Sequence, residues 1–252
     1  MPASEKFPHR SLWSAQRLSA REMARLFDIA AGLRGDAAAA SAGAALSGRH
    51  LALVGSLDGH GAQGFIDCAT ALGAQVSQVD ANALLSAPVQ RLPELARMLG
   101  RLYDGVDCCG LPEALVDQIE LYAGVPVTNG LADPAHPLRL LGDLLTMQAW
   151  SDRALRTLRL ELSDATAPLT RAMAELATLL SLQVQAPTLA TVDGDGAPGD
   201  QASCDFVFVP GRTAAERLRL PGGGPVSASA LSMLAQAHER LGLQALLIAA
   251  LG

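Results

Sequence analysis

The run LALVG, which reads as a buried strand, leads into the loop Asp58-Gly59-His60-Gly61-Ala62 and then into a helical stretch. Glycines between a strand and a helix let backbone N–H groups approach an anion, so such loops commonly hold phosphate. This one has neither the G-x-x-x-x-G-K-[ST] nor the G-x-G-x-x-G spacing, and it carries no Lys or Arg. Its N–H groups alone would hold an anion weakly; the alternative is a loop without a ligand. The cysteines Cys68, Cys108, Cys109 and Cys204 show no C-x-x-C spacing and no histidine at metal-ligand distance. Cys108 and Cys109 would point to opposite faces of a strand, as buried free thiols in a reducing compartment. No metal and no cofactor is expected.

The elements that position these residues follow from pattern. Residues 19–34 predict an amphipathic helix with Ser19 as N-cap, Glu22 in the capping-box position, and Met23, Leu26, Phe27 and Ala30 as its apolar stripe. Residues 36–48 are a low-complexity Ala/Gly/Ser connection. Strands are predicted at 50–55, 75–80, 105–110 and 125–130, with helices at 63–74, 88–103, 112–124 and 136–156 between and after them. The pattern restarts with strands at 157–162, 183–189 and 205–211, helices at 167–182 and 227–242, and a final apolar strand at 243–252. This alternation predicts two doubly wound parallel-sheet α/β domains, 1–150 and a smaller, truncated 151–252, the first sheet covered on both faces.

Composition narrows the function classes. The chain of 252 residues is 50% apolar and 17% charged, enough to bury a core. The net charge of −6 and the lack of any basic stripe speak against a nucleic-acid partner. No apolar run reaches ~18 residues without charge, Gly or Pro, and the first residues carry no leader-like apolar segment, so a cytoplasmic protein without a membrane partner is expected.

Three strings carry a resemblance: RSLWSAQRLSAREMARLFDIAAGLR, LARMLGRLYDGV and, most specifically, YAGVPVTNGLADPAHPLRLLGDLLTMQ at 122–148. The sequence resembles the ornithine/aspartate carbamoyltransferase family, nearest the ornithine type, strongly to 150 and weakly after it. The resemblance implies carbamoyl phosphate bound mainly by the first domain, an amino acid by the second, and transfer of a carbamoyl group to an amine. That chemistry needs arginines and helix-terminal N–H groups around the phosphate. Where the family has Ser-Thr-Arg-Thr-Arg, this chain has Asp58-Gly59-His60-Gly61-Ala62. An aspartate in place of the cations would repel a phosphate by ~1 kcal/mol at ~4 Å even in water, and by more in a closed site. Cys109 and Gly110 replace the family's Arg-Thr pair, and no base can be assigned to make Cys109 a nucleophile.

His136 matches the histidine of the family's His-Pro-x-Gln motif, which donates to the carbamoyl oxygen. With Pro137 it is equally well explained as a helix start. Arg139 stands at the glutamine position; it is expected to pair with Asp58 or Asp143 or to bind an anion, a solvated ion pair being the default. In the second domain Ser163-Asp164-Ala165-Thr166-Ala167 lacks the family's asparagines, and Asp205 alone survives from the Asp-x-x-x-Ser-Met-Gly segment. The family's His-Cys-Leu-Pro segment aligns with 249–252, so its later arginine and C-terminal helix are expected to be absent.

The leading expectation is therefore a carbamoyltransferase homologue without catalysis, acting in binding, assembly or regulation. The alternatives are an enzyme of altered chemistry using His60, His136, Arg139 and Cys109, and a genuine ornithine carbamoyltransferase. A small anion or an amino acid is the ligand class left to it. The resemblance implies a homotrimer, a dimer being the other option; the apolar final strand, lacking a covering helix, points to association as well.

Overall fold

The computed structural model describes residues 18–34, 43–55, 59–185, 204–221 and 225–252. The chain divides into two compact units: residues 1–139 with 240–252, and residues 140–239.

The first unit opens with α1 (Ala20–Gly32). Its start is a capping box: the Ser19 side chain accepts from the Glu22 N–H, and the Glu22 carboxylate accepts from the Ser19 N–H at 2.8 Å. Met23, Leu26 and Ala30 are buried, whereas Phe27 is half-buried. Then follow β1 (His50–Gly55), α2 (Gly59–Ala71), β2 (Gln75–Val79), a short α3 (Asn82–Leu85), a 3-10 turn (Val89–Arg91), α4 (Leu92–Leu102), β3 (Gly105–Cys109), α5 (Glu113–Ala123) and β4 (Val127–Thr128). The helix expected at 88–103 is thus a 3-10 turn followed by α4, because Pro93 fits only the first turn of an α-helix. The strand expected at 125–130 pairs over two residues only.

The first sheet has the order β2-β1-β3-β4, and every pair in it is parallel. One face carries Ala52, Val54, Val106, Cys108 and Val127, packed on Ala96 and Leu99 of α4 and Val116 and Ile119 of α5. Such continuous apolar strands, with β1 buried from Leu51 to Val54, are what a parallel sheet covered on both faces requires.

The second unit holds α6 (Leu140–Ser151), β5 (Arg159–Leu162), α7 (Pro168–Leu179), β6 (Gln183–Gln185), β7 (Phe206–Phe208), α8 (Ala214–Arg217) and β8 (Leu218–Arg219). Its sheet runs β6-β5-β7-β8. β5 is parallel to both neighbours, but β8 is antiparallel to β7. A wholly parallel second sheet was expected; the short α8 turns the chain back too soon for a parallel crossover, so it returns as an antiparallel edge. The long helix expected at 136–156 is α6 between two 3-10 turns, Pro137–Arg139 and Leu155–Thr157. The region expected as strand at 186–189 lies outside the described residues.

The largest correction is at the C-terminus. One helix, α9, runs Pro225–Leu251 where a helix and then a strand were expected. Gly242 does not break it, although a helix-interior glycine costs about 1 kcal/mol relative to alanine. The stretch LQALLIAALG holds one β-branched residue, Ile248, among strong helix formers. Its apolar positions are so dense that periodicity cannot tell a buried helix from a strand. Leu243, Leu246, Leu247 and Leu251 are all buried. Residues 240–252 group with the first unit, where Leu247, Ala250 and Leu251 meet Leu51, Phe65 and Val106 around a small apolar void. The uncovered terminal strand does not exist, and with it goes that argument for association. Among the described residues no helix is long and apolar enough to cross a membrane.

Candidate functional site

In the first sheet the strand order reverses direction between β1 and β3. In open α/β sheets that switch point, at the carboxyl ends of the strands, is where ligands bind. The register sets Gly55 beside Cys109, so the end of β1 and the Cys109-Gly110 turn lie side by side there. Gly55 has φ +121°, and a Cβ on it would collide with the Cys109 carbonyl oxygen. Only glycine permits this approach. α2 begins at Gly59, four residues earlier than expected, so Gly59–Ala62 of the expected loop form its first turn. Asp58 lies outside the described residues, and of Gly59 and His60 the backbone alone is described. Ala62 is buried, and Gly61 is buried with it.

Cys109 is buried and its Sγ–H donates to Asp107 at 3.1 Å. Burial first, and the Asp107 carboxylate second, push the thiol well above its ordinary pKa. A thiol held protonated is a poor nucleophile. Cys108 faces the opposite side of β3, in the α4–α5 core, as strand geometry requires.

The residue missed in the sequence is Asp107. It is only 2% exposed in the middle of a wholly buried strand. Its carboxylate accepts from Thr128 Oγ1, from the Leu131 N–H at 2.8 Å and from the Ala132 N–H at 2.9 Å, besides the Cys109 thiol. A carboxylate is buried only when its lone pairs are satisfied; this one fixes the 128–132 loop that leads to His136. The available signal was an aspartate inside the apolar run GVDCCG.

His136 is buried, and its Nδ1 accepts the Leu138 N–H at 3.2 Å. The His136 carbonyl accepts from the Arg139 N–H at 2.8 Å, closing the 3-10 turn that Pro137 opens. The imidazole therefore acts as a cap of this turn. Arg139 is buried, not solvated, and donates to the Leu131 carbonyl at 3.5 Å. Its expected partner Asp143 is fully buried in the second unit and pairs with Arg217 at 2.8 Å. Burial pushes the Asp143 carboxyl up to about 7 although Arg217 pulls it down. Gly142 permits this packing, since a Cβ there would lie 2.7 Å from the Glu239 Cα.

Asp205 stands at the amino-terminal edge of the second sheet, the end opposite a ligand crevice. It pairs with Arg153 at 2.7 Å and accepts the Arg159 N–H at 2.8 Å.

The fold defines a protein of two doubly wound α/β units, with a switch point in the first sheet between β1 and β3. The family model for the aspartate/ornithine carbamoyltransferase carbamoyl-phosphate binding domain matches residues 10–149. The chain belongs to the aspartate/ornithine carbamoyltransferase family. It is 34% identical over 148 residues to an ornithine carbamoyltransferase of Haemophilus influenzae strain PittGG, covering 58% of this chain and 44% of that protein. To a catabolic ornithine carbamoyltransferase of Pseudomonas putida it is 31% identical over 148 residues, with the same coverage. The matched stretch thus spans less than half the length of these relatives. Among solved structures, ornithine carbamoyltransferase from Thermus thermophilus shares the fold with a TM-score of 0.69 at 20% identity, covering 97% of this chain and 99% of that one. The Pyrococcus furiosus ornithine carbamoyltransferase gives a TM-score of 0.61 at 21% identity, covering 76% and 61%.

Proposed function

We propose that this chain is a non-catalytic member of the carbamoyltransferase family that serves as a binding, assembly or regulatory protein. One observation carries the reading: no Lys or Arg occurs between Arg49 and Arg91 or between Arg101 and Arg139. Those two stretches contain the chain that follows each strand of the first sheet at its carboxyl end. Arg91 and Arg97 are engaged on the helical side, by Glu94 at 3.5 Å and by the Tyr122 ring at 5.3 Å. The switch point instead carries Asp107 and a protonated Cys109. A dianionic phosphate there would meet backbone N–H groups and a carboxylate. Losing a single phosphate or oxyanion donor costs ~10²–10³ in rate, and several acting together leave no useful turnover.

Calorimetric titration with carbamoyl phosphate tests this. We expect no binding below about 1 mM at the switch point of the first sheet; a tighter constant there, beyond ~4 kcal/mol of affinity, overturns the reading. Citrulline formation from carbamoyl phosphate and ornithine would overturn it as well. The substitutions Asp58→Ser, Gly59→Thr, His60→Arg, Gly61→Thr and Ala62→Arg together restore the family's loop, and gain of carbamoyl phosphate affinity would locate the loss in that loop. A homo-oligomer remains part of the proposal on the family resemblance alone, the trimer ahead of the dimer, with mass by light scattering as its test.

A further inference from the structure

The cations missing from the carboxyl end of the first sheet have a counterpart elsewhere. At the amino-terminal edge of the second sheet an open cleft of about 390 Å³ is lined by Arg153, Arg156, Thr157, Arg159, Gln183 and Asp205. The three arginines recur every third residue along the segment that enters β5. Arg153 is committed: it pairs with Asp205 and also donates to the Thr157 carbonyl. Both oxygens of Asp205 are engaged, one by Arg153 and the other by the Arg159 backbone N–H. Arg156 and Arg159 are exposed, and among the described residues neither guanidinium has an ion-pair partner. The register sets Gln183 directly beside Arg159, so its exposed amide adds a neutral donor to the same wall.

Three guanidiniums face one carboxylate, which leaves the cleft with two excess positive charges in a chain of net charge −6. Local concentration of one sign in a concave wall focuses the field on an oppositely charged ligand. Planar guanidinium forks match the oxygens of phosphate in a way a lone ammonium does not. A cleft of this size admits more than a bare ion.

We propose that this cleft binds a small phosphate-bearing anion, with Arg156 and Arg159 as the contacting cations, Gln183 as a neutral donor and Arg153 as the fixed floor. The site is separate from the switch point of the first sheet and does not depend on the non-catalytic reading. It gives an amino-terminal-edge ligand to a sheet whose family resemblance implies one elsewhere.

The probe is pyrophosphate, titrated calorimetrically into the full chain at low ionic strength. The expected result is one site of sub-millimolar affinity that weakens linearly in logarithm with salt. In the double variant Arg156→Gln/Arg159→Gln affinity falls about tenfold or more, as loss of charge-assisted contacts requires. Thermal melting of that variant without ligand stays unchanged, because both side chains are exposed. The variant His136→Ala, in the first unit, leaves pyrophosphate binding as it was. No heat at 5 mM pyrophosphate (a concentration of order ~10⁻² M covers ~3 kcal/mol sites), or binding that the double variant retains and His136→Ala abolishes, overturns the proposal. Carbamoyl phosphate binding that the double variant loses is binding at this cleft and supports the proposal, whereas carbamoyl phosphate binding that the double variant retains lies elsewhere and overturns the non-catalytic reading, not this one.

Discussion

The two sheets are fastened in the same way at their amino-terminal edges. In the first, Asp104 precedes β3, pairs with Arg49 at 3.0 Å and accepts the N–H of His50, the first residue of β1, at 2.8 Å. In the second, Asp205 precedes β7, pairs with Arg153 at 2.7 Å and accepts the N–H of Arg159, the first residue of β5, at 2.8 Å. The backbone repeats the match, with Asp104 N–H donating to the His50 carbonyl and Asp205 N–H to the Arg159 carbonyl. The strand orders correspond as well, β2-β1-β3-β4 and β6-β5-β7-β8. An aspartate that resembles a surviving substrate residue is thus accounted for by a fastening that its counterpart in the other sheet also makes. What differs is the most deeply buried carboxylate of each unit. Asp107 is held on both oxygens by neutral donors, Asp143 by a guanidinium on Oδ2, while its Oδ1 is buried without a hydrogen-bond partner among the described residues.

That difference can be broken most forcefully at Asp143. Asp143→Leu leaves Arg217 as a fully buried cation that cannot shed its charge, and we expect a loss of about 3–5 kcal/mol in denaturant unfolding. Arg217→Met should cost less, because a buried carboxyl can neutralise itself by taking up a proton. The double variant Asp143→Leu/Arg217→Met should regain much of the loss. A double variant as unstable as Asp143→Leu would mean that packing, not charge, governs the pair.

The same carboxyl has a pH signature. Its pKa of about 7 in the folded protein lies above the ordinary carboxylate value of 3.8. The folded state therefore binds more protons than the unfolded chain between those values, and stability falls as pH rises from about 4 to about 7. Unfolding midpoints measured across this window should decline in the wild type and flatten in the double variant.

Asp107→Ala should cost about 3 kcal/mol, since it leaves the buried N–H groups of Leu131 and Ala132 without an acceptor. Hydrogen exchange should then rise at residues 128–136 ahead of the rest of the sheet. Uniform exchange would show that this loop is held by other contacts.

The smallest effects are at the two fastenings. Asp104→Asn and Asp205→Asn are each expected to cost less than about 1 kcal/mol, because both aspartates are partly exposed and solvent screens the pairs. The His50 N–H bond first, and Arg49 with it, hold the Asp104 carboxyl below its ordinary range. That contribution is present above the unfolded aspartate value and is lost as pH falls through the folded one. Asp104→Asn should therefore flatten the acid limb of stability below about pH 4. Unequal costs at the two positions would show the fastenings to be alike in geometry only.

Local pattern was enough to read α1 with its Ser19–Glu22 box, the apolar runs of β1 and β3, and the helix end at Gly124, whose φ is +72°. In each case the deciding physics sits within a few residues: a cap, a run of buried side chains, a left-handed glycine. The absence of cations from the loops after the first four strands is likewise a property of the sequence alone, since no folding can move a charge that the chain does not contain.

What the tertiary structure decided is where groups distant in sequence meet. The strand expected at 243–252 became part of α9 because Leu247 and Leu251 find Leu51, Phe65 and Val106, a surface that no window of ten residues reveals. Arg139 lost Asp143 to Arg217, 74 residues further along, and Asp107 became the support of the 128–132 loop only once β3 and β4 lay side by side. The three arginines of 153–159 became one wall of a cleft when Gln183 and Asp205 were brought beside them. A buried polar group takes its role from the partners that replace its water, and those partners are chosen by the fold.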